Sequence, residues 1–184
     1  MALVIAHRTA AALAPENSLR GIEQAASCHA NWVEMDVRLS RDGELVLMHD
    51  ESLERTSSGS GPVGERSLEE LKGLHLRNRD GSLDQSSTVP TLQEAVTLAR
   101  ELGLGLVVEM KEEGLEGLIA ESICREDCMV TSFYHASLCE LSEISSLKTG
   151  IIISALPINP VRLALEAGAS AIFPRRVNAR LFKE

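Results

Sequence analysis

The sequence predicts an α/β fold, a TIM-type (β/α) barrel with an insertion after the third strand and without the eighth, on three observations. Short apolar runs alternate with segments of helical period along most of the chain. The runs are continuously apolar, as strands covered on both faces are. Polar residues gather at their ends: His7 and Arg8, Glu34 and Asp36, His49, Glu109 and Lys111, Ser132. The carboxyl ends of a parallel barrel's strands all face one active site, whereas a doubly wound open sheet concentrates polar groups at a single switch point.

The elements follow in order. Leu3-Val-Ile-Ala6 reads as a strand buried on both faces, ending in His7-Arg8. After the loop from Thr9 to Ala14, Pro15-Glu16-Asn17-Ser18 opens a helix with Asn17 or Ser18 as its N-cap, and Leu19, Ile22, Ala25 and Ala26 form its apolar stripe. Trp32 to Leu39 has strand period, which places Glu34, Asp36 and Arg38 on one face and Val33, Met35, Val37 and Leu39 on the other. Asp42-Gly43 is a hairpin turn signal, and Glu44 to Met48 is a second strand delivering His49 and Asp50.

From about residue 51 to 89 the periodicity fails and Gly, Ser and charged residues dominate. This stretch is expected to be an insertion over one end of the domain, functional or mobile, with one short helix because Ser67 and Glu70 form a capping box before Leu71 and Leu74. Alternation resumes with a second capping box, Thr91 and Glu94, a stripe of Leu92, Ala95, Val96, Ala99 and Leu102, and Gly103 as the stop. Strands are expected at Leu106–Lys111, Met129–Phe133, Gly150–Ser154 and Ala171–Pro174, and helices at Leu115–Cys124, Ser137–Ser145 and Val161–Glu166, with a last helix beginning near Asn178. Strand ends near Arg8, Leu39, Met48, Lys111, Phe133, Ser154 and Pro174 make seven. A seven-stranded barrel exposes two edges, which a homo-oligomer would cover; a dimer by light scattering is the expected outcome.

Two carboxylates about 4 Å apart repel by roughly 4 kcal/mol at an effective dielectric near 20. A hard divalent cation offsets this by binding carboxylate oxygens, and a nearby histidine then remains free for proton transfer. The alternative is a solvated hairpin face on which Arg38 pairs the acids.

Composition narrows the function. With 184 residues and 44% hydrophobic content the chain suits one domain, residues 1–184, with a sizeable core. A formal charge of −9 and 3% aromatic residues argue against nucleic acid as partner. No apolar run is long enough to span a membrane, and Met1 to Ala6 lacks the features of a signal peptide, so no membrane insertion and a cytoplasmic location are expected. Cys28, Cys124, Cys128 and Cys139 form no CxxC pair and read as reduced, mostly buried thiols. His29, His75 and His135 read as surface or packed histidines.

His7-Arg8, Pro15-Glu16-Asn17-Ser18, Glu34-Met-Asp36, Asp42-Gly43, His49-Asp50, Leu53-Glu-Arg-Thr56, Pro90-Thr-Leu92 and Glu109-Met-Lys111 together resemble the glycerophosphodiester phosphodiesterase family. The resemblance covers nearly the whole chain and is carried by the order and spacing of the motifs. It implies metal-dependent hydrolysis of small glycerophosphodiesters to an alcohol and glycerol 3-phosphate. By the same resemblance Mg²⁺ or Ca²⁺ is held by Glu34, Asp36 and Glu109, His7 and His49 are the acid/base pair, Arg8 and Lys111 contact the phosphate, and Glu16 orients the first loop. It also implies that the segment after His49 covers the glycerol pocket, and it leaves open whether water or the neighbouring glycerol hydroxyl attacks. Thr9 stands directly after His7-Arg8, where the family usually has glycine; threonine reaches positive φ only at a steric cost. The competing functional reading is a non-catalytic barrel that binds or interacts.

Overall fold

A computed structural model of the chain describes residues 3–123, 127–155 and 157–174. They fall into two compact units that divide between Glu109 and Met110. The first contains β1 (Ile5–Ala6), α1 (Leu19–Ser27), β2 (Trp32–Leu39), β3 (Leu45–Leu47), a 3-10 turn (Val63–Glu65), α2 (Leu68–Lys72), β4 (His75–Arg77), β5 (Leu83–Thr88) and α3 (Leu92–Glu101). β6 (Gly105–Met110) ends this unit, with its last residue, Met110, counted in the second.

β1 pairs in parallel with β2, Ile5 opposite Trp32 and Ala6 opposite Val33, and β6 lies beside β2 on its other edge. The expectation that Leu3 to Ala6 is buried on both faces is wrong: the strand is two residues long, and Leu3, Val4 and Ile5 are exposed. Among the described residues of this unit β2 is its one strand neighbour, so β1 is an edge and its apolar run lies partly uncovered. β3 runs antiparallel to β2, Val37 opposite Leu47 and Leu39 opposite Leu45. The hairpin expected at Asp42-Gly43 thus forms, and β3 joins the sheet as an antiparallel strand rather than as one of the parallel strands of a barrel; a turn as short as the one at Gly43 (φ +86) can join only antiparallel strands.

The helices begin where the capping residues stand. Ser18 accepts from the Gly21 amide at the start of α1, and reciprocal capping boxes, Ser67 with Glu70 and Thr91 with Glu94, open α2 and α3. In α3 the residues Leu92, Ala95, Val96 and Ala99 are buried, while Leu102 caps the helix and is exposed.

The insertion is more structured than its composition indicates. β4 and β5 form a two-stranded antiparallel sheet, and Leu53, Val63, Leu71 and Leu76 pack with Val46, Met48 and Val89 into one buried cluster. Burying an aliphatic side chain of this size contributes about 1.5–3 kcal/mol, so the few apolar residues of the segment suffice to order it. Arg20 of α1 pins it from outside through Asp84 of β5, 2.5 Å away.

The second unit alternates α4 (Glu116–Ser122), β7 (Cys128–Ser132), α5 (His135–Ile144), β8 (Lys148–Ile153), α6 (Pro160–Glu166) and β9 (Ala171–Pro174). β7 and β8 are parallel, as are β8 and β9. Val130, Ile151 and Ile153 from the strands and Leu138 and Leu141 from α5 are buried. Cys128 is buried and Cys139 partly so, but Cys28 is exposed, correcting the expectation for that thiol; Cys124 and the helix expected near Asn178 lie outside the described residues.

Candidate active site

The register of β1 on β2 brings the first histidine to the acids. Ala6 lies opposite Val33, so the next residue, His7, comes beside Glu34, with Nε2 3.9 Å from Oε2. The chain then turns through three consecutive residues of positive φ, Arg8 (+49), Thr9 (+54) and Ala10 (+66). Thr9 thus does adopt the conformation expected to be costly, and the surroundings explain how. Its amide donates to the Glu34 carbonyl at 2.8 Å, and its buried Oγ1 accepts from the Ser18 amide at 2.9 Å. Gly21 gives it room, since a Cβ there would stand 1.9 Å from the Thr9 carbonyl oxygen.

This turn aims two groups at the acids. The Arg8 amide donates to Glu34 Oε2 at 2.7 Å, and the Arg8 guanidinium sits between Glu16 (Nη1 to Oε1 3.2 Å) and Asp36 (Nε to Oδ2 3.6 Å). Arg8 Nε is buried without a hydrogen-bond partner. Asn17, also at positive φ, uses both ends of its amide on Asp36: Nδ2 donates to Oδ2 at 2.8 Å, and Oδ1 accepts from the Asp36 amide at 3.0 Å.

Glu34, Asp36 and Glu109 each present a carboxylate oxygen, all within 4.8 Å of one another. Glu34 is held well above the usual carboxylate range by burial and then by the charge of Asp36, against the pull of the Arg8 amide. Burial and a neighbouring like charge both disfavour the ionised form of a carboxyl. All-oxygen donors of this kind suit a hard divalent cation, so these residues fit such an ion.

β3 carries the second histidine to β2: the Met48 amide donates to the Asp36 carbonyl at 3.0 Å, and Arg38 Nε donates to the His49 carbonyl at 3.1 Å. Arg38 thus serves the His49 backbone. His49 Nδ1 is 2.6 Å from Asp50 Oδ1, and the other Asp50 oxygen accepts from Arg55 Nε. Arg55 also clamps Glu16 with both terminal nitrogens at 2.8 Å. A continuous chain of contacts therefore runs from His49 through Asp50, Arg55 and Glu16 to Arg8. Asp50 is held far below the usual range, chiefly by Arg55, and is ionised at neutral pH. Burial alone would raise the Glu16 carboxyl, but Arg55 and Arg8 outweigh it and lower it.

The first unit so brings together His7, Arg8, Glu16, Glu34, Asp36, His49 and Glu109. Lys111 belongs to the second unit, where its Nζ stands 5.9 Å over the Phe133 ring. Ser132 Oγ donates to the Met110 carbonyl at 2.9 Å and accepts from the Tyr134 amide, a structural role. Sequence reasoning did not single out Asn17, Asp50 and Arg55 for the site, although all three lie inside the motifs Pro15–Ser18, His49-Asp50 and Leu53–Thr56. The side chain bound by each was not visible in spacing alone.

Residues 7–156 match the model of the glycerophosphoryl diester phosphodiesterase family. A glycerophosphodiester phosphodiesterase of Caldanaerobacter subterraneus is 32% identical over 182 residues, 94% of this chain and 75% of the relative. A phosphodiesterase of Oleispira antarctica, solved with the product sn-glycerol-3-phosphate, is 30% identical and superposes with a TM-score of 0.84 over 95% of this chain and 75% of that one. The glycerophosphodiester phosphodiesterase of Thermotoga maritima shares the fold at 24% identity, with a TM-score of 0.76 over 95% and 74% of the two chains. This chain thus spans about three quarters of these proteins' length. Fold and site define the class, a phosphoric diester hydrolase on the α/β framework of the TIM barrel. The chain belongs to the glycerophosphoryl diester phosphodiesterase family. Among the described residues no helix is long and apolar enough to cross a membrane.

Proposed function

We propose that this chain hydrolyses small glycerophosphodiesters to an alcohol and glycerol 3-phosphate, with a divalent metal and two histidines. The observation that carries the reading is the Glu34, Asp36 and Glu109 cluster with His7 at its edge and the unsatisfied Arg8 Nε beside it. Mg²⁺ or Ca²⁺ held by the three carboxylates would neutralise the anionic diester oxygens and polarise phosphorus.

The chain's own residues do the rest. Arg8 binds the phosphate, its guanidinium fixed by Glu16 on one side and Asp36 on the other; the family resemblance assigns Lys111 to the same task. Ionised Asp50 holds a proton on His49 Nδ1, leaving Nε2 to exchange one with the reacting oxygens. His7 and His49 share the two proton transfers. One takes the proton of the attacking hydroxyl as its oxygen bonds to phosphorus, and the other protonates the alcohol oxygen as its bond to phosphorus breaks. With water supplying the hydroxyl overall, the products are the free alcohol and glycerol 3-phosphate.

The test is hydrolysis of glycerophosphocholine by the purified chain with Mg²⁺, with Ca²⁺ and with chelator, beside Glu34→Gln. Activity that requires both metal and Glu34 is the expected result. A cooperatively folded chain inactive under every metal would overturn the proposal.

A further inference from the structure

The first unit holds a second cleft, of about 270 Å³, where the first loop faces the hairpin turn of the insertion. Glu16 and Arg55 line it, together with Ala11, Arg77, Asn78 and Arg79. It adjoins a hollow of about 300 Å³ that shares Ala11, Asn78 and Arg79. Glu16 is the hinge between this space and the carboxylate cluster, since its one carboxylate is bound by Arg8 and by Arg55. The cleft is thus separated from Arg8 by the single carboxylate of Glu16.

The charge of the lining is one-sided. Arg8 and Arg55 are matched by Glu16 and Asp50. Arg77 spends its guanidinium on two backbone carbonyls, Ser57 at 2.8 Å and Gly81 at 3.1 Å, neutral acceptors that leave its charge standing. Arg79 makes no hydrogen bond or ion pair among the described residues. Asp80, engaged by the neutral amide and hydroxyl of Ser82, also keeps its charge, but it lines the adjoining hollow and not this cleft.

The turn that presents Arg79 is fixed. Asn78 and Ser82 close it through backbone and side chain, at 2.8 and 3.1 Å, and the Arg77 amide ties β4 to the Thr56 carbonyl at 2.8 Å. An unpaired guanidinium on a rigid hairpin, beside a second whose charge is not matched, offers N–H donors in a planar fork to an oxyanion.

We propose that this cleft, at the Arg77–Gly81 turn of the insertion, is the subsite for the departing alcohol, apart from the glycerol pocket that the resemblance places under the same insertion, and that it selects glycerophosphodiesters whose head group carries a carboxylate or similar oxyanion, recognised by Arg79 with Arg77 behind it. The inference rests on the phosphodiesterase reading and adds the substrate class to it. Glycerophosphoserine and glycerophosphoethanolamine differ by one carboxylate and form the matched pair. Wild-type kcat/KM is expected to favour the serine diester by at least ~10-fold, the worth of one charge-assisted contact, and Arg79→Ala to bring the ratio to about one. Calorimetric titration with O-phosphoserine and phosphoethanolamine gives a readout independent of turnover, with the same preference and the same loss in Arg79→Ala. Equal treatment of the two compounds in both experiments, or a preference that survives Arg79→Ala, overturns the subsite. A chain that cleaves neither diester but shows the Arg79-dependent difference in binding keeps the subsite and loses the phosphodiesterase reading.

Discussion

His49 and Asp50 are sequence neighbours whose side chains meet, Nδ1 to Oδ1, at 2.6 Å, while Arg55 holds the second oxygen of the same carboxylate. The acceptor on Nδ1 decides which ring nitrogen carries the proton and which faces the reaction. Asp50→Asn keeps the shape and removes the charge, so kcat on glycerophosphocholine is expected to fall by roughly 10²-fold or more, the usual scale of positioned acid/base catalysis, with KM nearly unchanged. An equal loss in KM would show that Asp50 acts on binding instead.

Arg55 joins Asp50 to Glu16 with a planar fork that lysine cannot reproduce. Arg55→Lys keeps the positive charge yet is expected to recover less than a tenth of wild-type kcat/KM, an order-of-magnitude effect for the loss of bidentate geometry. Full rescue by lysine would mean that charge alone is needed at this position.

Glu34 is buried beside two other acids, and burial first and then the charge of Asp36 disfavour its ionised form, a cost to the metal-free protein that a neutral side chain avoids. Glu34→Gln, whose amide oxygen still accepts from the Arg8 amide, is expected to raise the melting temperature in chelator by about 2–4 °C. It is also expected to abolish the stabilisation that millimolar Mg²⁺ or Ca²⁺ gives the wild type through mass action. Differential scanning calorimetry with and without each ion separates the two effects. A Glu34→Gln protein that melts lower in chelator and still responds to the ions would remove Glu34 from the metal site.

The acid-bearing strand is legible in the sequence because strand period has only one outcome: alternate residues share a face, and Trp32–Leu39 puts Glu34 and Asp36 together wherever its ends fall. The capping boxes of α2 and α3 were legible because their partners are three residues apart. What spacing could not show were contacts set by tertiary packing, such as Asn17 turning both ends of its amide onto Asp36, or Arg55 reaching back to Glu16. β5 has no signal in the sequence because Leu83–Thr88 is mostly polar and its pairing is supplied by β4. The burial assigned to Leu3–Ile5 failed because hydrophobicity tells what a strand prefers, whereas its place at an edge decides what covers it.

Thr9 offsets the steric cost of its left-handed backbone, about 1–2 kcal/mol, with a buried hydrogen bond to the Ser18 amide. Glycine at this position relieves the strain but loses the bond, so Thr9→Gly is expected within about 1 kcal/mol of wild type. Thr9→Ala leaves the Ser18 amide as unsatisfied as glycine does but keeps the strain, and is expected to cost about 1–3 kcal/mol. Urea unfolding of the two variants orders them; alanine more stable than glycine would mean that the left-handed backbone at this position costs little.

Asp84 links the insertion to α1 through Arg20, and it also accepts from the hydroxyl and the amide of Ser86. These contacts, the Ser86 hydroxyl first, lower its carboxyl from 3.8 to about 2. A carboxyl depressed on folding contributes stability that is present above its unfolded pKa and is lost as pH falls through its folded one. Asp84 therefore adds acid sensitivity between about pH 4 and pH 2 and none near neutrality. Thermal unfolding followed from pH 6 downward is expected to show a steeper decline in the wild type than in Asp84→Asn across that window. Parallel curves for the two proteins would place the acid transition elsewhere and reduce the Arg20 to Asp84 bridge to a surface contact.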